Sequence, residues 1–341
     1  MHQPDSLRIG LLFEDTGYDI DGIRRQLAPH AVEQVIGWSG LQPAALAERC
    51  RSYDAVVTGR RSPALPEALI ADRGRLRLLA HIHGTIKHLV SKAHVASGLK
   101  VSNWGDQVAG VAESAFTLLL MAMKQVHGLD AYIRRDWQDD RRIWQDFPAT
   151  LHGRDIGLYG FGPIGRHMGN FLHAFGAHVA IYDPYAKHLP DWVRQCDSLR
   201  ALFSSCQCVS IHCGLNDGTR NTVTRELLEL LPQGGVLINT ARGPIVVEDD
   251  LAAVLASGRI VAGLDVICDE KHWATSVFAR LPSDRVLLTG HVAGNGKGPA
   301  PDSPVRTQRL LPDYVADNLI ALAGGRPLRH LITAEIYDLK T

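Results

Sequence analysis

Net charge is the first thing this sequence lacks, since 36 Lys and Arg balance 36 Asp and Glu. No overall field draws the chain to nucleic acid or to an anionic membrane, so small-molecule chemistry is the better starting expectation. Zinc-type CxxC pairs are missing too. The six cysteines (Cys50, Cys196, Cys206, Cys208, Cys213, Cys268) are scattered and read as core thiols in a reducing compartment, with no metal site expected. The opening residues, MHQPDSLRIG, contain no basic segment followed by an apolar one, so no secretory signal is expected and a cytoplasmic location is. The most apolar stretch, DQVAGVAESAFTLLLMAMKQVHGL, is interrupted by Glu113 and reads as a helix capped by Asp106, not as a membrane span. Internal repeats and low-complexity blocks are absent.

What is present is material for two cores. A chain of 341 residues with 45% hydrophobic and 21% charged residues exceeds what one core usually organises. Short apolar runs (RIGLLF, VEQVIGW, DAVVTG, LRLLAHI, LKVSN) alternate with helix-like stretches up to Asn103. A second series (DIGLYG, HVAIYD, CVSIHC, GGVLINT, IVAGLDV, RVLLTGH) begins at Asp155. Such alternation predicts an α/β fold with two doubly wound parallel sheets. The charged stretch RRDWQDDRRIWQDFP between them reads as solvated surface. Near the end, VRTQRLLPDYVADNLIALAGG predicts a helix that Pro312 must start or kink.

DIGLYG runs into Gly160-Phe161-Gly162-Pro163-Ile164-Gly165, then a helical segment, then a strand ending at Asp183. That context completes a dinucleotide fingerprint. Gly160 permits the tight turn, Gly162 lets the backbone approach a pyrophosphate, and Gly165 lets helix and strand pack closely. Pro163 and Ile164 open the helix, whose N-terminus offers N–H groups and a positive dipole end. Asp183 is placed to accept from ribose hydroxyls and to repel a 2'-phosphate, which favours NAD over NADP.

Three further segments follow in order: INTARG at 238–243, GLDVICDE at 263–270 and TGHVAG at 289–294. Each sits at the end of an expected strand, where ligands gather in open α/β sheets. With the fingerprint, they resemble the D-isomer-specific 2-hydroxyacid dehydrogenases, which include 3-phosphoglycerate, glycerate, formate and phosphite dehydrogenases. The resemblance covers nearly the whole chain. It implies a flavodoxin-like substrate domain at 1–103 and 296–341, interrupted by an NAD-binding Rossmann domain at 104–295. It also implies hydride transfer between NAD and C2 of a small 2-hydroxy or 2-keto acid, and a homodimer packed through the apolar helix after Gly105.

By the same resemblance, Arg242 holds the substrate carboxylate, His291 is the acid/base and Glu270 orients and tunes it. Thr240, Ala241, Asp265, His212 and His291 line the cofactor, with Asp265 at the nicotinamide carboxamide. The chemistry asks for these types independently. A guanidinium fork grips a carboxylate and its neighbouring carbonyl, as Lys cannot. Charge growing on the C2 oxygen needs a proton donor that titrates near neutrality.

The chain departs from the family pattern in places. Gly290 and Lys271 stand where a Pro commonly precedes the His and follows the Glu, and Gly214-Leu215 follows the His212 strand without the usual Pro. The substrate loop reads His81-Ile82-His83-Gly84-Thr85-Ile86-Lys87-His88-Leu89-Val90, without the familiar Asp and Asn. Backbone N–H groups around Gly84 and Thr85 can still cradle a carboxylate, with His83 and Asn103 as further substrate contacts. Lys87 and the nearby histidines are expected to favour an acid with a second anionic group. Two other functions stay open: an NAD(H)-sensing protein like the C-terminal-binding-protein corepressors, and a dehydrogenase of phosphite or formate.

Overall fold

The computed structural model describes residues 6–13, 17–105, 108–136, 150–294 and 310–339. Asp106 and most of the charged stretch that follows the apolar helix lie outside them. The chain divides into two compact units, one of residues 1–107 with 298–341 and one of residues 108–297.

The first unit holds β1 (Arg8–Leu12), β2 (Ala31–Gln34), β3 (Ala55–Thr58), β4 (Leu78–His81) and β5 (Lys100–Ser102) in the order β2-β1-β3-β4-β5, every pair parallel. Successive residues of a strand face opposite sides. Thus Leu78 and Ala80 enter one core while Leu79 enters the other. A parallel sheet covered on both faces needs this continuous apolarity. The helix Asp313–Ala323 begins directly after Pro312 and brings Val315, Ala316, Leu319 and Leu322 onto one face.

The second unit is a seven-stranded parallel sheet. Its strands are β6 (Asp155–Tyr159), β7 (His178–Tyr182), β8 (Val193–Gln195), β9 (Cys208–Ile211), β10 (Gly235–Asn239), β11 (Ile260–Leu264) and β12 (Val286–Leu288). The order β12-β11-β10-β9-β6-β7-β8 reverses direction between β9 and β6. Only β8 was not legible as a strand. It is a short edge element of Val193, Arg194 and Gln195, largely exposed and without the apolar run that marks the others.

The apolar helix spans Ala109–Met123 and buries Val111, Ala112, Ala115, Phe116, Leu118, Leu119, Ala122 and Met123. Most of them join the core beneath the unit's own sheet. The hydrophobicity that suggested a contact with a second copy is therefore largely used inside this unit.

Candidate active site

One row of residues crosses the second sheet: Tyr182, Tyr159, Ile211, Asn239, Leu264 and Leu288, each in register with the next. The residues that immediately follow are Asp183, Gly160, His212, Thr240, Asp265 and Thr289. Every segment singled out in this half of the sequence thus leaves the sheet at one edge, its carboxyl end. The reversal of strand order lies within that row.

The glycine turn is shaped by close approach. Gly160 has φ +98°, and a Cβ there would lie 2.5 Å from the backbone nitrogen of Cys213. A Cβ on Gly165 would collide with the Gly160 carbonyl oxygen. Gly162 is the opposite case, because a Cβ there would meet nothing within 4 Å. Its backbone faces open space, and the helix Pro163–Ala174 starts beside it. Asp183 accepts from the Phe161 amide (2.7 Å) and the Tyr185 amide (2.8 Å), which fixes it against this turn.

Two buried polar atoms at neighbouring strand ends have no hydrogen-bond partner among the described residues: Thr240 Oγ1 and His212 Nδ1. Such atoms are uncommon in folded proteins and are what a bound ligand satisfies. Burial pushes the His212 pKa down to about 3, so the ring is neutral, with Ser210 Oγ 2.9 Å from its Nε2. Open space at Gly162, a helix N-terminus and orphaned atoms at Thr240 and His212 together fit a dinucleotide that ends in nicotinamide.

Arg242 is presented by a tight turn after β10. Asn239, 1% exposed, donates from Nδ2 to the Arg242 carbonyl (2.9 Å) and accepts the Ala241 amide (3.0 Å). The guanidinium donates to the Ala241 carbonyl at 2.6 Å. A Cβ on Gly243 would land on the backbone of Ile267, so this turn is pressed against the segment that leads from Asp265 to Glu270. Sequence reasoning passed over Asn239, although its place just before the Thr-Ala-Arg run was the available signal.

His291 and Glu270 meet, with Nδ1 2.7 Å from Oε2 and both side chains part exposed. The loop that carries His291 is unusual: Gly290 has φ +70° and His291 φ +61°. Proline, whose ring fixes φ near −65°, cannot adopt the conformation found at 290. The glycine that departs from the family pattern is therefore what permits this backbone path. His291 has no such licence and is held by bonds.

Those bonds come from Asp265. Its Oδ1 accepts from Thr289 Oγ1 (2.6 Å) and the Val292 amide (2.9 Å), and its Oδ2 from the Ala293 amide (3.1 Å). Its backbone carbonyl accepts the His291 amide at 2.6 Å. The carboxylate expected at the nicotinamide carboxamide is thus directed at the His291 loop. Thr289, not singled out from the sequence, is part of the same arrangement.

In the first unit the loop after β4 packs under Trp104, whose indole would be 2.5 Å from a Cβ on Gly84. Asn103 donates to the Gly84 carbonyl (2.6 Å) and accepts the Gly105 amide (3.0 Å). Its amide group shapes the loop from below. His83 and Thr85 are half-buried on either side of Gly84. Lys87 does not join them: its Nζ donates to the Asp338 carbonyl at 3.2 Å, on the surface.

Residues 116–293, just over half of the chain, match the sequence pattern of the D-isomer specific 2-hydroxyacid dehydrogenase NAD binding domain. A hydroxyphenylpyruvate reductase of Plectranthus scutellarioides is 30% identical over 236 residues, covering 68% of this chain and 70% of its own. The glyoxylate/hydroxypyruvate reductase A of Arabidopsis thaliana is 28% identical over 297 residues, covering 85% of this chain and 89% of its own. Among solved structures, a 2-hydroxyacid dehydrogenase from Ketogulonicigenium vulgare Y25 is similar in fold, with a TM-score of 0.74 at 23% identity over 98% of this chain and 99% of that one.

Proposed function

The chain belongs to the D-isomer specific 2-hydroxyacid dehydrogenase family, and from that premise we propose that it interconverts a small 2-keto acid and its 2-hydroxy acid with NAD as the cofactor. The observation that carries the reading is the 2.7 Å contact between His291 Nδ1 and Glu270 Oε2 at the carboxyl edge of a nucleotide-binding sheet. Glu270 engages one ring nitrogen and so leaves Nε2 to serve the substrate oxygen. Bound nicotinamide supplies or accepts the hydride at C2.

In the direction of reduction, charge grows on the C2 oxygen and His291 donates its Nε2 proton there; in oxidation it takes the proton back. Glu270 holds the ring and stabilises the imidazolium that the oxidation step forms. Arg242 pairs with the carboxylate and orients the carbonyl beside it. The turn at 160–165, with Thr240, Ala241 and His212, holds the dinucleotide, and Asp183 selects NAD over its 2'-phosphate form. The unit of 108–297 is accordingly the NAD-binding one and the other the substrate unit. The amides at Gly84 and Thr85, with His83, belong to the acid, while Asn103 supports that loop.

A homodimer is proposed on the resemblance alone. A reducing, cytoplasmic compartment suits the unpaired cysteines. No helix among the described residues is long and apolar enough to cross a membrane.

The test is to follow absorbance of the reduced cofactor with NADH and a panel of 2-keto acids, and with NAD and phosphite or formate. Oxidation of NADH by a keto acid, lost in His291→Asn, is the expected outcome. Turnover only with phosphite or formate moves the assignment there. Binding of NADH with no turnover of any compound favours a sensing role.

A further inference from the structure

The roles above leave the basic side chains that surround His83 at the carboxyl end of the first unit's sheet unexplained. His81 closes β4 and is 1% exposed. Its Nδ1 lies 3.0 Å from Oγ1 of Thr58, the last residue of β3, and its buried Nε2 has no partner among the described residues. The rings of His83 and His88 meet it edge-on, at 5.6 and 5.9 Å between centroids. Burial is graded: His88 is exposed, His83 half-buried and His81 buried.

The electrostatics have one sign. Burial first, then the nearby His83, His88 and Arg60, push the His81 pKa down to about 3. Burial lowers that of His88 as well, against a bond to the backbone of Arg60. On the other flank, the Trp104 ring stands 6.5 Å from that of His83. Lys87 turns away to Asp338, whose carboxylate pairs with Lys92 at 2.5 Å. The Asp338 carboxylate is thus engaged with a lysine. No group of three or more His, Cys, Asp or Glu side chains among the described residues is placed to hold a metal.

Crowding basic groups disfavours their charged forms, and a buried nitrogen without a partner costs free energy besides. One species relieves both: an anion, which accepts hydrogen bonds and lets the imidazoles protonate. Ligands in open α/β sheets bind beyond the carboxyl ends of strands, which is where this cluster sits. We propose that Arg60, His81, His83 and His88 form a subsite for a second anionic group, carboxylate or phosphate, and that the protein prefers dianionic acids. That this anion belongs to a substrate rests on the reductase reading; that the cluster binds an anion does not. The charge comes from the histidines and Arg60, and Lys87 has no part in it. Because binding favours protonation of imidazoles whose pKa burial lowers in the free protein, His81 and His88, affinity rises as pH falls.

The test is calorimetric and needs no turnover. With NADH present, the protein is titrated with oxamate, a monoanion, with N-oxalylglycine, which adds a carboxylate, and with 3-phosphoglycerate, which adds a phosphate. At about pH 6 one of the two should bind at least about tenfold tighter than oxamate, the worth of one charge-assisted hydrogen bond, and at about pH 8 the advantage, corrected for the phosphate's own ionisation near about pH 6, should shrink. Which of N-oxalylglycine and 3-phosphoglycerate binds more tightly decides between carboxylate and phosphate. His88→Gln and Arg60→Gln alter exposed residues and so spare the fold; each should reduce the advantage. Equal binding of all three anions, an advantage that ignores pH, or one that survives both substitutions overturns the subsite. So does an absence of binding while a keto acid still oxidises NADH. Dianion preference without NADH oxidation by any keto acid would keep the subsite and remove the reductase reading.

Discussion

Asp265→Asn is the most informative single change, because it distinguishes two roles for one carboxylate. In the structure that side chain is 1% exposed and accepts from Thr289 Oγ1, the Val292 amide and the Ala293 amide. An asparagine of the same shape keeps one acceptor oxygen and turns the other into an N–H2 group facing a donor. One charge-assisted bond is lost and a buried N–H is left unpaired, for roughly 2–4 kcal/mol together. The left-handed backbone at His291, φ +61°, stores strain of about 1–3 kcal/mol in the opposite sense. The two are comparable, so the loop should relax in much of the population and His291 should leave its place beside Glu270. A displacement of that kind costs on the order of a hundredfold in kcat. Urea unfolding of the apoprotein reads the first quantity, and steady-state kinetics with the best keto acid read the second. With the carboxylate holding the loop, kcat falls while the KM for NADH stays within about twofold. If Asp265 acts instead on the nicotinamide, the KM for NADH rises and stability barely changes. A variant with wild-type stability and wild-type kcat would refute the account of the loop altogether.

Asp183→Ser removes the charge expected to repel a 2'-phosphate, so the ratio of kcat/KM for NADH over NADPH should fall at least about tenfold; an unchanged ratio would move cofactor choice elsewhere. Because Asp183 also accepts the Phe161 and Tyr185 amides, the same variant should unfold at lower urea. Gly243→Ala drives a methyl into the backbone of Ile267, which cannot rotate away, and should cost about 1–3 kcal/mol while lowering kcat/KM through the displaced Arg242 turn; Gly162→Ala, with open space around it, should leave apoprotein stability nearly unchanged but weaken NADH binding, read by fluorescence. Acid stability follows from His212, whose pKa near 3 lies below the unfolded value of about 6.5. Between those values the unfolded chain binds the proton and the folded chain does not, so Tm should fall as pH drops through that window. His212→Gln should flatten the decline, and an unaltered slope would assign it to other groups.

Much of this was legible because it depends on local pattern. Runs such as GGVLINT are apolar on both faces, as a buried parallel strand must be, and Gly160 and Gly165 stand where a side chain would strike backbone. The pairing of His291 with Glu270 was legible only through resemblance, since 21 residues separate them in the chain. What could not be read was how polar groups divide among several partners. Asp265 and Asn103 carry the residue types of ligand contacts, yet their hydrogen bonds go to Val292 and Ala293 in one case and to Gly84 and Gly105 in the other. Lys87 lies within the histidine-rich loop in sequence, but its long flexible side chain reaches away from it to the Asp338 carbonyl. The edge strand Val193–Gln195 was missed because an exposed edge needs no apolar pattern.

Two of the departures from the family pattern, Gly290 and the 81–90 loop, have different physical consequences. Glycine in place of proline at 290 makes a left-handed backbone available immediately before His291, and Asp265 then has to hold a loop that no ring restrains. The change alters how the acid/base is held, while the contact of His291 with Glu270 remains at 2.7 Å. On the proposed role of His291, it therefore bears on rate and on tolerance of substitution at Asp265 and not on the choice of substrate. The histidines of the 81–90 loop lie at and beyond the end of β4 in the first unit, whereas His291 leaves the sheet of the other unit. They stand where the family loop commonly has an Asp and an Asn, so on the proposed subsite their effect falls on the charge of the compound that binds. On the proposed roles, chemistry and selectivity are carried by separate elements, so kcat should respond to changes at 265 and 290 and the order of preferred anions to changes at 60 and 88.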